Sequence, residues 1–165
     1  MRCQDLVLKG EGLTAGAVTR WEWYASSIIS VGGFKDFWVK VCHTSREKLV
    51  ADFEKNYDGN KPVRVFADDE LRIKPPAYTW FGFDFSPRFE YNGKDNLIVE
   101  VHWKERSGAP GIVTYWTPKE GRCCMYAGPV PCEPAVFDFV HYMRIKLSPA
   151  AVAPTSLGRV KAVFR

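Results

Sequence analysis

At 165 residues, 46% of them hydrophobic and 15% aromatic, the chain has the size of one domain and enough apolar material to bury a core without covalent staples. Its 23 Lys and Arg against 19 Asp and Glu leave a net charge of +4, mixed along the sequence, which argues against the concentrated basic stripe of a nucleic-acid binder. No run approaches the roughly 18 apolar residues of a membrane-spanning helix.

Cys3 to Leu8 reads as a short apolar strand before the Gly10-Glu11-Gly12 turn. Val18 to Tyr24 follows, with Thr19, Trp21 and Trp23 on one face and Arg20, Glu22 and Tyr24 on the other, the period of two that marks a strand. After the Gly32-Gly33 break, Asp36 to His43 sets Phe37, Val39 and Val41 against Trp38, Lys40 and Cys42. Thr44-Ser45-Arg46-Glu47 has the form of a capping box. A short helix is predicted there, with Leu49, Val50 and Phe53 as its apolar stripe and Tyr57-Asp58-Gly59-Asn60 as its stop. Pro62 to Phe66 and Glu70 to Ile73 are predicted as two strands flanking an Asp68-Asp69 turn.

Tyr78 to Phe85 alternates Thr79, Phe81, Phe83 and Phe85 with Tyr78, Trp80, Gly82 and Asp84. The turn Tyr91 to Asn96 opens onto a strand with Leu97, Val99, Val101 and Trp103 facing in, and Glu100, His102 and Lys104 on a wet face. Ile112 to Trp116, Arg122 to Tyr126 and Val136 to Leu147 complete the set, the last predicted as the longest strand. About ten short strands punctuated by Gly, Pro, Asn and Asp predict an all-β fold, a two-sheet jelly-roll or Greek-key β-sandwich with one short helix, over residues 1–147. Residues 148–156 read as a small-residue linker, and 157–165 as a terminal tail or strand.

The cysteines are Cys3, Cys42, Cys123, Cys124 and Cys132. Their odd number leaves at least one without a partner in the chain. Cys132, just past the Gly128-Pro129-Val130-Pro131 turn, can fold back onto Cys123 or Cys124, so these three are the disulfide candidates, with free thiols as the alternative. Neither a C-x-x-C nor an H-x-x-x-H pair is present, and no metal or cofactor is expected. No nucleophile elbow, phosphate loop, zinc-protease helix or dinucleotide fingerprint occurs, and a non-enzyme is expected. His102 reads as a surface partner of Glu100, and His141 as a hydrogen-bonded core or edge histidine. Cys42 and His43, as strand neighbours, face opposite ways and form no catalytic pair.

The aromatic excess is harder to place indoors, because Trp38 opposes Phe37 and Trp80 opposes Phe81 in their strands. Trp38, Trp80, Tyr115 and Trp116 are therefore the candidates for stacking on a glycan, a flat amphipathic ring giving large contact area at low entropy cost.

Tyr91 to Glu100, Cys42-His43-Thr44-Ser45 and Phe53-Glu54-Lys55-Asn56-Tyr57 together resemble a jelly-roll-like module of predicted exported proteins from uncultured environmental bacteria, including hot-spring lineages. There a strand ending in His-Thr-Ser leads into a short helix, and a Phe-x-Tyr-Asn-Gly-x-Asp-Asn-Leu turn, matched by Phe89 to Leu97, opens the next core strand. Pro154 to Arg165 is similar to a short C-terminal signature of such proteins. The resemblance implies the fold and an extracellular or cell-surface setting, and it brings no catalytic set. The expected function is a non-catalytic structural or adhesive module whose partners are copies of itself. Leu157, Val160, Ala162 and Phe164 of the tail would add as a strand to a neighbour's sheet edge and build a filament or layer. The alternative is a carbohydrate-binding module with surface glycans as partners.

Overall fold

The computed structural model describes residues 1–26, 32–107, 114–127 and 133–149. Along them run β1 (Arg2–Val7), β2 (Gly16–Tyr24), β3 (Gly32–Thr44), α1 (Phe53–Asn56), β4 (Val63–Ile73), β5 (Trp80–Tyr91), β6 (Asn96–His102), β7 (Glu105–Ser107), β8 (Trp116–Ala127), β9 (Glu133–His141) and β10 (Met143–Pro149). The strands form two antiparallel sheets, so the fold is an all-β two-sheet sandwich with one short helix, as the alternation predicts. The large sheet has the order β4-β3-β6-β1-β8-β9, with β7 also pairing β3, and the small sheet has the order β10-β2-β5.

The main core lies between the sheets. Trp21, Trp23, Phe34, Phe37, Val39, Phe83, Phe85, Val99 and Val101 meet there, each large side chain contributing about 1.5–3 kcal/mol on burial. A second, smaller core lies on the outer face of the large sheet, where Leu49, Phe53 and Tyr57 cover Leu6, Cys42, Ile98 and Cys124. That cover changes the reading of β6. All of Asn96 to Val101 is buried, so the face bearing Glu100 is not wet.

The helix also departs from its expected form. Thr44 ends β3, and its hydroxyl donates to the carbonyl of Asn56 at 2.8 Å while accepting from the amide of Arg46 at 3.2 Å. The cap is Asp52, whose carboxylate accepts from the amides of Glu54 and Lys55. The helix is therefore a single turn, and Val50 faces outward. Asp68 and Asp69 make no turn, since β4 runs unbroken through them with Asp68 opposite Phe37.

The expected long strand from Val136 to Leu147 divides at Tyr142. β9 pairs with β8 in one sheet and β10 with β2 in the other, the sheet-switching corner of a sandwich. At the N-terminal side of β8, Thr114 bridges Ala25, and the two strands expected around Trp116 and Arg122 are one. Ser148 and Pro149 belong to β10, opposite Ala17 and Gly16.

Candidate functional site

The corner at Tyr142 gathers aromatic rings from four parts of the chain. The Tyr24 amide donates to the Tyr142 carbonyl, Tyr142 to Tyr115, and Tyr115 to Tyr24, at 3.1, 2.7 and 3.2 Å. Tyr78 is tied in through its amide to the carbonyl of Ala25 at 2.9 Å. With the backbones so knitted, the Tyr115 ring stands 5.5 Å from Tyr24, 6.4 Å from Tyr78 and 6.1 Å from Tyr142. Tyr24 in turn packs edge-on against Trp80 at 5.1 Å. Tyr78, Tyr115 and Tyr142 are 62%, 41% and 47% exposed. Tyr78 also holds a left-handed backbone, φ 58°, a conformation costing a bulky residue roughly 1–2 kcal/mol.

A charged strip on the same outer face of the small sheet borders these rings. Glu22 is buried, yet it pairs with Arg20 at 2.9 Å, with Arg144, and with Lys146 at 3.8 Å. The Arg144 hydrogen bond lowers its carboxyl, burial opposes, and Arg20 lowers it further, to about 2. Arg20 reaches on to Asp84 at 2.9 Å, and the Arg144 guanidinium lies 4.6 Å from the centre of the Trp80 ring. Gly82 makes room for this arrangement. A Cβ there would sit 1.9 Å from the Trp21 carbonyl oxygen and 2.8 Å from Cγ of Glu22.

Of the residues expected to stack on a ligand, Trp80 and Tyr115 are brought together. Trp116 is exposed but packs against Phe139 at 5.5 Å. Trp38 is not a platform. It is 8% exposed, stacked on His102 at 4.6 Å, with Lys40 and Arg64 over its ring. These two long side chains roof the indole. Tyr24, Tyr78 and Tyr142 were missed, although each carries a signal: Tyr24 shares its polar strand face with Arg20 and Glu22, Tyr78 its register with Trp80 and Asp84, and Tyr142 its face with Arg144 and Lys146.

Two polar clusters lie inside. On the outer side of the large sheet, Glu100 accepts from Arg2 Nε at 2.8 Å and from Gln4 and the Tyr57 hydroxyl, each at 2.5 Å. Glu100 is thus no partner for His102, whose Nδ1 instead lies 3.4 Å from the Asp36 carbonyl. On the inner side, Cys3 and Asp5 of β1, Cys123 of β8 and His141 of β9 converge. His141 Nδ1 lies 2.9 Å from both Asp5 oxygens, and the sulfurs of Cys3 and Cys123 are 3.7 Å apart. Burial disfavours charge on His141, but the attraction and hydrogen bond of Asp5 outweigh it and raise its basicity. The hydrogen bond to Cys123, together with burial, pushes the Cys3 thiol well up. Cys123 and Cys124 are free, buried thiols on opposite faces of β8. Cys132 and the tail residues Leu157, Val160, Ala162 and Phe164 lie outside the described residues.

Compared with known proteins, the chain matches no protein-family model, no curated protein and no solved structure.

Proposed function

We propose that this protein is a non-catalytic extracellular or cell-surface binding module that holds carbohydrate against its aromatic end. One observation carries the reading: Tyr78, Tyr115 and Tyr142 present exposed rings side by side, bordered by Trp80 and the Arg144–Glu22–Arg20–Asp84 strip. A sugar ring has apolar C–H faces that pack on aromatics and hydroxyls that bond to fixed charges, so such a surface offers both contacts. The left-handed backbone at Tyr78 supports the reading, because strain retained at an exposed aromatic is of the kind that collects at ligand clamps. The non-catalytic part rests on the chemistry of the thiols. A buried thiol pushed up, as at Cys3 or, to about 12, at Cys42 and Cys124, is a weak nucleophile. The extracellular setting rests on the resemblance.

Affinity electrophoresis against a panel of soluble polysaccharides, followed by calorimetry on any that retard the protein, tests the proposal. Tyr115→Ala and Tyr78→Ala are expected to weaken binding at least tenfold, about 1.4 kcal/mol, while Trp116→Ala leaves it within twofold. Absence of retardation across the panel, or affinity indifferent to Tyr115, would overturn it.

A second reading, self-assembly through the tail, has one observation in its favour. β10, which leads toward residues 157–165, is an edge strand of the small sheet, a template for main-chain pairing with another copy. Deleting Leu157 to Arg165 should then abolish polymers seen by light scattering, without changing sugar binding.

A further inference from the structure

The inner faces of β1 and β8 carry a set of groups foreign to the apolar layer around them. Cys3 and Asp5 are two apart on β1 and so share a face, and Cys123 is the cross-strand partner of Asp5. Val7, next on that face, is ordinary core. Asp5 is 1% exposed and Cys123 fully buried, and a carboxyl in an apolar core costs free energy unless it is paired. His141 enters from the end of β9, so three strands converge on one point.

We propose that Cys3, Asp5, Cys123 and His141 form a four-ligand zinc site inside the sandwich. Two thiolates, an imidazole and a carboxylate are a donor set that suits zinc, and four protein ligands make a closed, structural site. The spacing agrees. Two sulfurs about 2.3 Å from a tetrahedral zinc lie about 3.8 Å apart, against the 3.7 Å between Cys3 and Cys123, whereas a disulfide would bring them to about 2.05 Å. One ligand atom from each of the four residues lies within 4.8 Å of all the others. The 2.9 Å contact between His141 and Asp5 opens by about half an ångström to admit the ion. A way in exists, because His141 also lines a surface cleft of about 250 Å³ with Val7, Glu11, Thr117, Val140 and Met143. Binding displaces the thiol protons of Cys3 and Cys123 into solvent, and each bond to zinc is a donor lone pair, so no oxidant or reductant enters. The site would clamp β1, β8 and β9 together at the end of the sandwich where β9 gives way to β10.

The full-length protein, purified under reductant and stripped with chelator, is titrated with cobalt(II) and then zinc. Expected are uptake of one equivalent, sulfur-to-cobalt charge-transfer absorption with strong tetrahedral visible bands, bleaching by zinc, and a melting temperature several degrees higher with zinc than with chelator. Cys3→Ser and Cys123→Ser should lose the charge-transfer bands, and Cys42→Ser and Cys124→Ser, on the other face of the sheet, should keep them. Should the first two variants fail to fold, zinc-edge X-ray absorption on the unmutated protein decides, with two sulfurs at about 2.3 Å and two lighter atoms at about 2.0–2.2 Å expected. No uptake by the reduced protein, a shell of oxygen and nitrogen alone, or a Cys3–Cys123 disulfide persisting under reductant would overturn the proposal.

Discussion

Glu100 is fully buried, and its surroundings explain how a carboxyl is tolerated there. Arg2 grips it with Nε at 2.8 Å and a terminal nitrogen at 3.0 Å, while Gln4 and Tyr57 fill the remaining lone pairs. Replacing it with alanine leaves Arg2 with Glu54 as its one carboxylate and takes a partner from Gln4 and Tyr57, so Glu100→Ala is expected to lower stability by about 2–3 kcal/mol in urea melts, and Tyr57→Phe by about 1 kcal/mol. Glu22 gives a pH signature instead. Its carboxyl titrates near 2 in the fold against about 4.3 in an unfolded chain. A lowered acid contributes its stability above the unfolded value and loses it as pH falls toward the folded one. Acid denaturation between about pH 4.5 and 2 should therefore flatten in Glu22→Gln, by on the order of 2 kcal/mol after allowance for the solvent-exposed Arg144 and Lys146. At Tyr78, glycine relieves the left-handed backbone, so Tyr78→Gly should hold or raise stability by up to about 1 kcal/mol while removing a ring from the proposed binding surface.

Among the elements, alternation rightly put Trp21 and Trp23 of β2 on one face, which is the core face, but the bulge after Val18 turns Val18 rather than Thr19 into that core. It misled at β6, where both faces are covered and the polar Glu100 is held by residues from β1 and by Tyr57, just past α1, that no local window contains. The helix was misread for a related reason. Thr44 and Glu47 have the spacing of a capping box, but Thr44 is occupied by Asn56, and Asp52 takes the cap. Asp52→Ala should accordingly cost about 1 kcal/mol, and Thr44→Val should act through lost anchoring of the loop rather than through helix content measured by circular dichroism. Tyr142 hides the corner between β9 and β10 because it keeps the period of two unbroken across the switch of sheets. In β5, Gly82 reads as a weak point in a strand, yet its neighbours leave no space for a side chain. Gly82→Val should separate β5 from β2 and cost several kcal/mol.

For the molecule as a whole, the two-sheet class was legible because it follows from strand count and turn chemistry, which are local. Of the four rings singled out in the sequence, Tyr115 and Trp116 are exposed and Trp80 is half-buried beside Tyr24, while Trp38 is roofed by Lys40 and Arg64, a fact of tertiary packing. The Cys3, Asp5, Cys123 and His141 cluster was invisible, since its members come together only through the pairing of β1 with β8 and β8 with β9. The same pairing has a kinetic side. β1 lies at the heart of the large sheet between β6 and β8, with Arg2 opposite His102 and Cys3 opposite Met125. During synthesis β1 emerges before both partners, so its edges wait unpaired until β6 and β8 have followed. Refolding should be slow for the chain's size, on the millisecond-to-second scale of non-local β topologies, and nascent chains ending before β8 should bind holdase chaperones instead of forming a native subdomain.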